Sequence, residues 1–247
     1  MTDCIGSPTP GVMGVLITER GEPVCCEMYR RAIGKLLYVS TRSRPDISFI
    51  VGCLSKFCND PTTVQWTAVK RLIAYLKHTL DYRLVFSKVS NLNLEVYCDA
   101  DWSNDRENSK SVGGYIALLG GTAISWRSKK QDIVATITML AEYYALFEAS
   151  KEVIWLRDLM KELRHPIEIP TNILADNQGA NSLADSYKLT ERNKHSRIRY
   201  HFVRDCVSDK LVCVCYVPSS ENIADLLTKL LPQSKTLTCT KGMGLSA

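Results

Sequence analysis

The order of apolar patterns predicts an α/β protein: a mixed five-stranded sheet with flanking helices, preceded by a small all-helical bundle. Three observations carry this. Helical periodicity fills residues 25–80, strand-like alternation begins after Asp81, and the remaining pattern runs β-β-β-α-β-α-α-β-α. The 247 residues, 45% of them hydrophobic, suffice for one large domain or two small ones. A net charge of +5 permits an anionic partner without requiring one. Ten cysteines show no zinc-type Cys-x-x-Cys pair, and most lie in apolar sequence, which reads as buried thiols in a reducing compartment. No basic-then-apolar leader opens the sequence and no apolar run could span a bilayer. An intracellular location, cytoplasmic or nuclear, with no membrane partner is expected.

Residues 1–24 carry Gly, Pro and Thr without periodicity, as a loosely ordered leader would. Within 25–80, Tyr29, Ile33, Leu36 and Leu37 form one helical stripe, and Pro45 with Asp46 open a second helix carrying Ile47, Ile50, Leu54 and Phe57. A third helix, after Asn59-Asp60-Pro61, aligns Trp66, Val69, Ile73 and Leu76. Arg30, Arg31, Lys35, Arg42, Arg44, Lys70 and Arg71 give the bundle a basic surface, either a solvated face or a phosphate-contacting one.

The larger region, 81–235, starts with a short extended run at 82–86. Three strands follow at 92–98, 112–119 and 122–126, the last two joined by a Gly120-Gly121 turn. In the first, Leu92, Leu94, Val96 and Cys98 share one face and Asn93, Glu95, Tyr97 and Asp99 the other, so Asp99 stands at the strand's end on its polar face. A long helix over 138–163 is apolar on nearly every side in its first half. Then come a strand at 172–175, a helix at 178–184, a basic helical segment at 191–209, a strand at 211–217 and a final helix at 221–231. Residues 236–247 read as a C-terminal tail.

Four acids fall where these elements end. Glu142 is the only charge between Asp132 and Glu148, and a carboxylate in so apolar a run needs a partner or a cation, unless the helix's first turn and dipole stabilise it. Asp176 ends the fourth strand, where an N-cap is the plain alternative. Asp225 lies beside Ile223, Leu226 and Leu230 on the last helix, where a solvated acid is the plain alternative. Together they make a cluster that cannot stay ionised without cations. Two Mg²⁺ ions roughly 4 Å apart would neutralise it and suit in-line displacement at phosphorus.

The same residues carry a family likeness. Tyr97-Cys-Asp-Ala-Asp-Trp102, Ser125-Trp-Arg-Ser-Lys-Lys-Gln131, Ala141-Glu-Tyr143, Ala175-Asp-Asn-Gln178, Lys194-His195 with Arg199-Tyr-His-Phe202, and Ala224-Asp-Leu-Leu-Thr-Lys229 resemble the ribonuclease H domain of copia-type retrotransposon Pol polyproteins. Upstream, Tyr29-Arg-Arg-Ala-Ile-Gly-Lys-Leu-Leu-Tyr38, Thr41-Arg-Ser-Arg-Pro-Asp46 and Ala68-Val-Lys-Arg-Leu-Ile-Ala-Tyr-Leu-Lys77 resemble the reverse transcriptase segment that follows the palm in those polyproteins, the thumb or connection side. No Tyr-x-Asp-Asp motif is present, so reverse transcription by this chain alone is not expected, and a palm supplied in trans is a candidate partner. The resemblance implies a ribonuclease H-like fold and an endonuclease hydrolysing the RNA strand of RNA-DNA hybrids. It implies that Asp99, Glu142, Asp176 and Asp225 bind two Mg²⁺ or Mn²⁺ ions, Asp99 contacting both. Asp101 shares Asp99's face and is placed beside the site.

Lys188, Arg192, Lys194, His195, Arg197, Arg199 and Arg204 form a phosphate-binding surface in this reading, the alternative being an amphipathic helix with Ile198, Phe202 and Cys206 inward. Asn177 and Gln178 join that set, and Arg127, Lys129 and Lys130 either extend the track or make a solvated turn. The chain also departs from the family. Leu140 replaces the first acid of Ser-Ser-Thr-Glu-Ala-Glu-Tyr, Lys194-His-Ser-Arg197 replaces Lys-His-Ile-Asp, and Cys215-Tyr-Val-Pro218 stands where cellular ribonucleases H place a histidine before the last acid. These changes favour a competing reading: a catalytically weak remnant that binds nucleic acid or serves structurally. A strand transferase on a related fold is disfavoured by the fourth acid.

Overall fold

A computed structural model of the chain describes residues 5–14, 18–19, 21–88, 92–105, 110–132, 138–179 and 197–247. The bundle comprises α1 (Cys26–Arg42), a 3₁₀ turn at Pro45–Ile47 leading into α2 (Ser48–Ser55), and α3 (Thr63–His78). Tyr29, Ile33, Ile47, Leu54, Val69 and Leu72 form its core. Leu37, read into the first stripe, instead faces solvent. A capping box fixes the start of α3: the Thr62 N–H donates to Gln65 Oε1 at 2.8 Å. Described residues before α1, in the segment read as a leader, bond to α3, with Ser7 N–H donating to Ala74 O at 3.3 Å and Arg71 to Thr9 Oγ1 at 2.9 Å.

The remaining elements are β1 (Arg83–Leu84), β2 (Leu94–Asp105), β3 (Lys110–Leu119), β4 (Thr122–Lys130), α4 (Thr138–Glu162), β5 (Thr171–Ala175), α5 (Arg197–Ser208), β6 (Val212–Tyr216), a 3₁₀ helix at Ile223–Leu227, α6 (Gln233–Gly242) and β7 (Leu245–Ser246). The main sheet has the order β4-β3-β2-β5-β6. β2 is central, antiparallel to β3 and parallel to β5, with Asp99 opposite Gly114 and Tyr97 opposite Leu174. This is the predicted mixed five-stranded sheet with flanking helices. One face, carrying Leu94, Val96 and Cys98, packs on α4 and α5. The other, carrying Tyr97, Ile116 and Leu118, is covered by the 3₁₀ helix and α6. Along the strand face expected to be polar, burial grows towards the carboxyl end: Asn93 is exposed, Glu95 and Tyr97 are half-buried, and Asp99 is 1% exposed.

Several expectations are corrected. The helix read over 221–231 is only the short 3₁₀ segment Ile223–Leu227: Thr228 leaves helical geometry at φ −122° with its hydroxyl on Asp99, and Pro232 bars a continuation beyond Leu231. Residues 236–247, read as a tail, lie in α6 and in β7, which pairs antiparallel with β1. None of the nine described cysteines forms a disulfide, yet only Cys98, Cys206 and Cys239 are buried; Cys213 is exposed on edge strand β6. Of the helix read at 178–184, only its first two residues are described. Among the described residues no helix is long and apolar enough to cross a membrane.

Arg44, counted among the surface charges, is buried. It forks onto Asp46 at 2.9 and 2.7 Å, donates to Thr79 O and Oγ1 at 3.1 and 2.7 Å, and lies over the Tyr75 and Tyr82 rings. Tyr75 Oη completes the cluster on Asp46 at 2.7 Å. Nearby, Trp126 Nε1 donates to Ser40 O at 2.7 Å, tying β4 to α1.

Candidate active site

β2 and β5 run parallel, so their carboxyl ends emerge side by side, the place where such sheets open a crevice. β2 delivers Asp99 there, and Asp176 directly follows the last residue of β5. α4 crosses the same sheet end with Glu142 in its second turn, where Oε2 accepts the Ala100 N–H at 3.0 Å. One oxygen from each of Asp99, Glu142 and Asp176 lies within 4.8 Å of the others. Burial pushes the Asp99 carboxyl up to about 7, with Lys229 opposing and Asp225 and Asp176 adding to the shift. Burial, then the charges of Asp99 and Asp176, push Glu142 up to about 9 against the pull of the Ala100 N–H. Three clustered carboxylates supply hard oxygen donors and a charge deficit, and this donor set fits a Mg²⁺- or Mn²⁺-class cation.

Asp225 is not part of that trio. It sits fully buried on the 3₁₀ helix, which reaches the sheet because the residue opposite Asp99 is Gly114; a Cβ there would lie 2.7 Å from Leu227 Cβ and 3.2 Å from Thr228 Cγ2. Asn222 anchors the helix start: its Nδ2 donates to Cys98 O at 3.0 Å, and its Oδ1 accepts from Ala224 N at 3.1 Å. At the other end Thr228 Oγ1 donates to Asp99 Oδ2. Lys229 Nζ lies 2.9 Å from Asp225 Oδ1 and 3.7 Å from Asp99 Oδ2, while Lys235, from α6, pairs with Asp225 Oδ2 and donates to Ser219 O at 2.6 Å. Burial works against the Lys229 ammonium, but the carboxylates of Asp99 and Asp225 outweigh it and hold the group well above the usual lysine range. Asp101 is half-buried on this side; burial raises its carboxyl and Lys229 counters the rise.

Of the residues read as binding nucleic acid, Lys129, Lys130 and Arg199 line one groove beside α4, with Arg127, Tyr144 and Glu148. Arg199 stacks on Tyr144 at 4.4 Å and donates to its hydroxyl at 2.5 Å. Lys129 is exposed and pairs with Asp132 at 3.2 Å. Half-buried Asn177 and exposed Gln178 follow Asp176. Lys188, Arg192, Lys194 and His195 lie outside the described residues. Sequence reasoning assigned no role to Asn222, Thr228, Lys229 or Lys235. The i, i+4 spacing of Asp225 and Lys229 was the one local signal for any of them.

The chain is 39% identical over 218 residues to the retrovirus-related Pol polyprotein from transposon TNT 1-94 of Nicotiana tabacum, covering 88% of this chain and 16% of that protein. With the retrovirus-related Pol polyprotein from transposon RE2 of Arabidopsis thaliana it shares 38% over 203 residues, 82% of this chain and 14% of the relative. The chain belongs to the copia-type retrotransposon Pol polyproteins, and it spans only those small fractions of their length. Among solved structures, that of LC11-RNase H1 in complex with RNA/DNA hybrid aligns with a TM-score of 0.42 at 16% identity, covering 55% of this chain and 94% of that one. No protein-family model matches the chain.

Proposed function

We propose that this chain is a divalent-cation-dependent ribonuclease H-type endonuclease that hydrolyses the RNA strand of RNA-DNA hybrids. The observation that carries the reading is the meeting of Asp99, Glu142 and Asp176 oxygens within 4.8 Å at the carboxyl ends of two parallel strands. Membership of the Pol family supports it. Asp99, Glu142 and Asp176 would hold a Mg²⁺ or Mn²⁺ ion; the family resemblance implies two ions held by these three with Asp225, Asp99 contacting both, and we assign the second to Asp99 and Asp225. Bound there, such ions supply Lewis-acid stabilisation of charge at phosphorus and a more acidic water.

The chain's own groups do the rest. The Ala100 N–H fixes the Glu142 carboxylate against β2, and Thr228 fixes that of Asp99. The groove of Lys129, Lys130 and Arg199 gives the hybrid's backbone a cationic surface, its affinity falling as salt rises. Asn177 and Gln178, and Arg192, Lys194 and His195, extend the proposed contact set. In the same reading residues 25–80 form the reverse transcriptase-derived unit and 81–235 the nuclease unit, with a palm in trans as a partner.

The test is cleavage of a labelled RNA-DNA duplex with Mg²⁺. The wild-type chain should cut the RNA strand, and Asp99→Asn should lower the rate by about 100-fold or more. Equal rates in the two proteins overturn the proposal. The pairing of both Asp225 oxygens with lysines favours a second reading, a hybrid-binding remnant of weak activity. Tight hybrid binding without cleavage selects it.

A further inference from the structure

Between Asp99 and Asp225 stands a cation that the chain itself supplies. Lys229 Nζ lies 2.9 Å from Asp225 Oδ1 and 3.7 Å from Asp99 Oδ2, and the side chain is 34% exposed. The second oxygen of Asp225 pairs with Lys235, so each oxygen of this carboxylate faces an ammonium. Asp99 Oδ2 also accepts the Thr228 hydroxyl. A divalent ion shared by Asp99 and Asp225 needs these same oxygens, and at such distances it cannot share them with an ammonium of like sign. The trio of Asp99, Glu142 and Asp176 brings one ligand oxygen from each carboxylate within 4.8 Å of the others, and Lys229 approaches it at Asp99 Oδ2, 3.7 Å away.

We propose that Lys229 is a positioning residue that stands in for the second divalent cation, so that without nucleic acid the chain takes up one ion at Asp99, Glu142 and Asp176 and admits another between Asp99 and Asp225 only when the lysine side chain swings out. The inference rests on the metal-dependent reading of the site given above. Lys229 suits the task because its charge sits on a flexible four-carbon stem, which can leave without moving the backbone. Until it leaves, its ammonium offsets negative charge at Asp99 and Asp225. Loading of the two positions is then ordered, the trio first.

Counting bound Mn²⁺ tests this, by calorimetric titration of the full chain with the free ion followed by electron paramagnetic resonance. The wild type should bind one ion per chain, with any second ion weaker by about tenfold or more. Lys229→Met and Lys229→Gln should tighten the second ion, relative to the first, by about the same factor, the Gln variant keeping a donor for Asp225. Two ions of like affinity in the wild type overturn the inference alone, as does an unchanged ratio in a folded variant. The wild-type count decides the matter even if neither variant folds. A chain that binds no Mn²⁺ at all overturns the metal-dependent reading and this inference together.

Discussion

Glu142 shows the cost of the site at the scale of one residue. Burial and two neighbouring carboxylates raise it from 4.5 to about 9, and Asp99 rises from 3.8 to about 7. Each therefore keeps its proton in the folded chain at a pH where the unfolded chain has released it. The sign follows: the folded state binds more protons between about pH 4 and 9, so this site's contribution to stability falls as pH rises, by about 1.4 kcal/mol per pH unit for each excess proton. Melting in chelator should show Glu142→Gln gaining on the wild type from acid to alkaline pH. Added Mg²⁺ should recover wild-type stability most at the alkaline end, where both carboxylates must otherwise carry charge. A difference between the two proteins that does not change with pH contradicts the burial of Glu142.

At the scale of elements, the decisive piece is the 3₁₀ helix seated on β3. Gly114→Ala places a methyl 2.7 Å from Leu227 Cβ, a backbone-proximal atom with no room to give, so the helix must lift. We expect a loss of about 1–3 kcal/mol in urea unfolding. Weaker Mn²⁺ binding should accompany it, since the Thr228 contact to Asp99 moves with the helix. This helix also marks where the sequence stopped being legible. Asp99 and Glu142 could be found because strand alternation and a lone charge in an apolar helix are local patterns. Asp225 could be named but not placed: its neighbours Lys235, Asn222 and Gly114 come from α6, a loop and β3, and only the folded chain sets them together. The strands were found in their order, but their ends and the α6–β7 segment were not, because Pro232 and long-range pairing fixed them.

At the scale of the whole molecule, bundle and sheet meet around the buried Arg44–Asp46 pair and the Trp126–Ser40 bond. A count of basic residues along the sequence cannot distinguish such an arginine from a surface one, which is why Arg44 was misread. Arg44→Met strands the Asp46 carboxylate without its cation and should cost about 3–5 kcal/mol, measured by urea unfolding; replacing both partners with apolar residues should restore most of it. The pairing of β7 with β1 has a kinetic consequence. Val85 N donates to Gly244 O at 3.1 Å and Ala123 N to Met243 O at 3.0 Å, so residues near 84 and 122 wait on residues near 244. During synthesis the bundle and the β2–β4 meander emerge first and can each form, but this join spans more than half the chain and closes late. A nascent chain stalled before Met243 would therefore expose the edge of β1 to proteases and to pairing with other chains, whereas in one that has passed it β7 covers that edge.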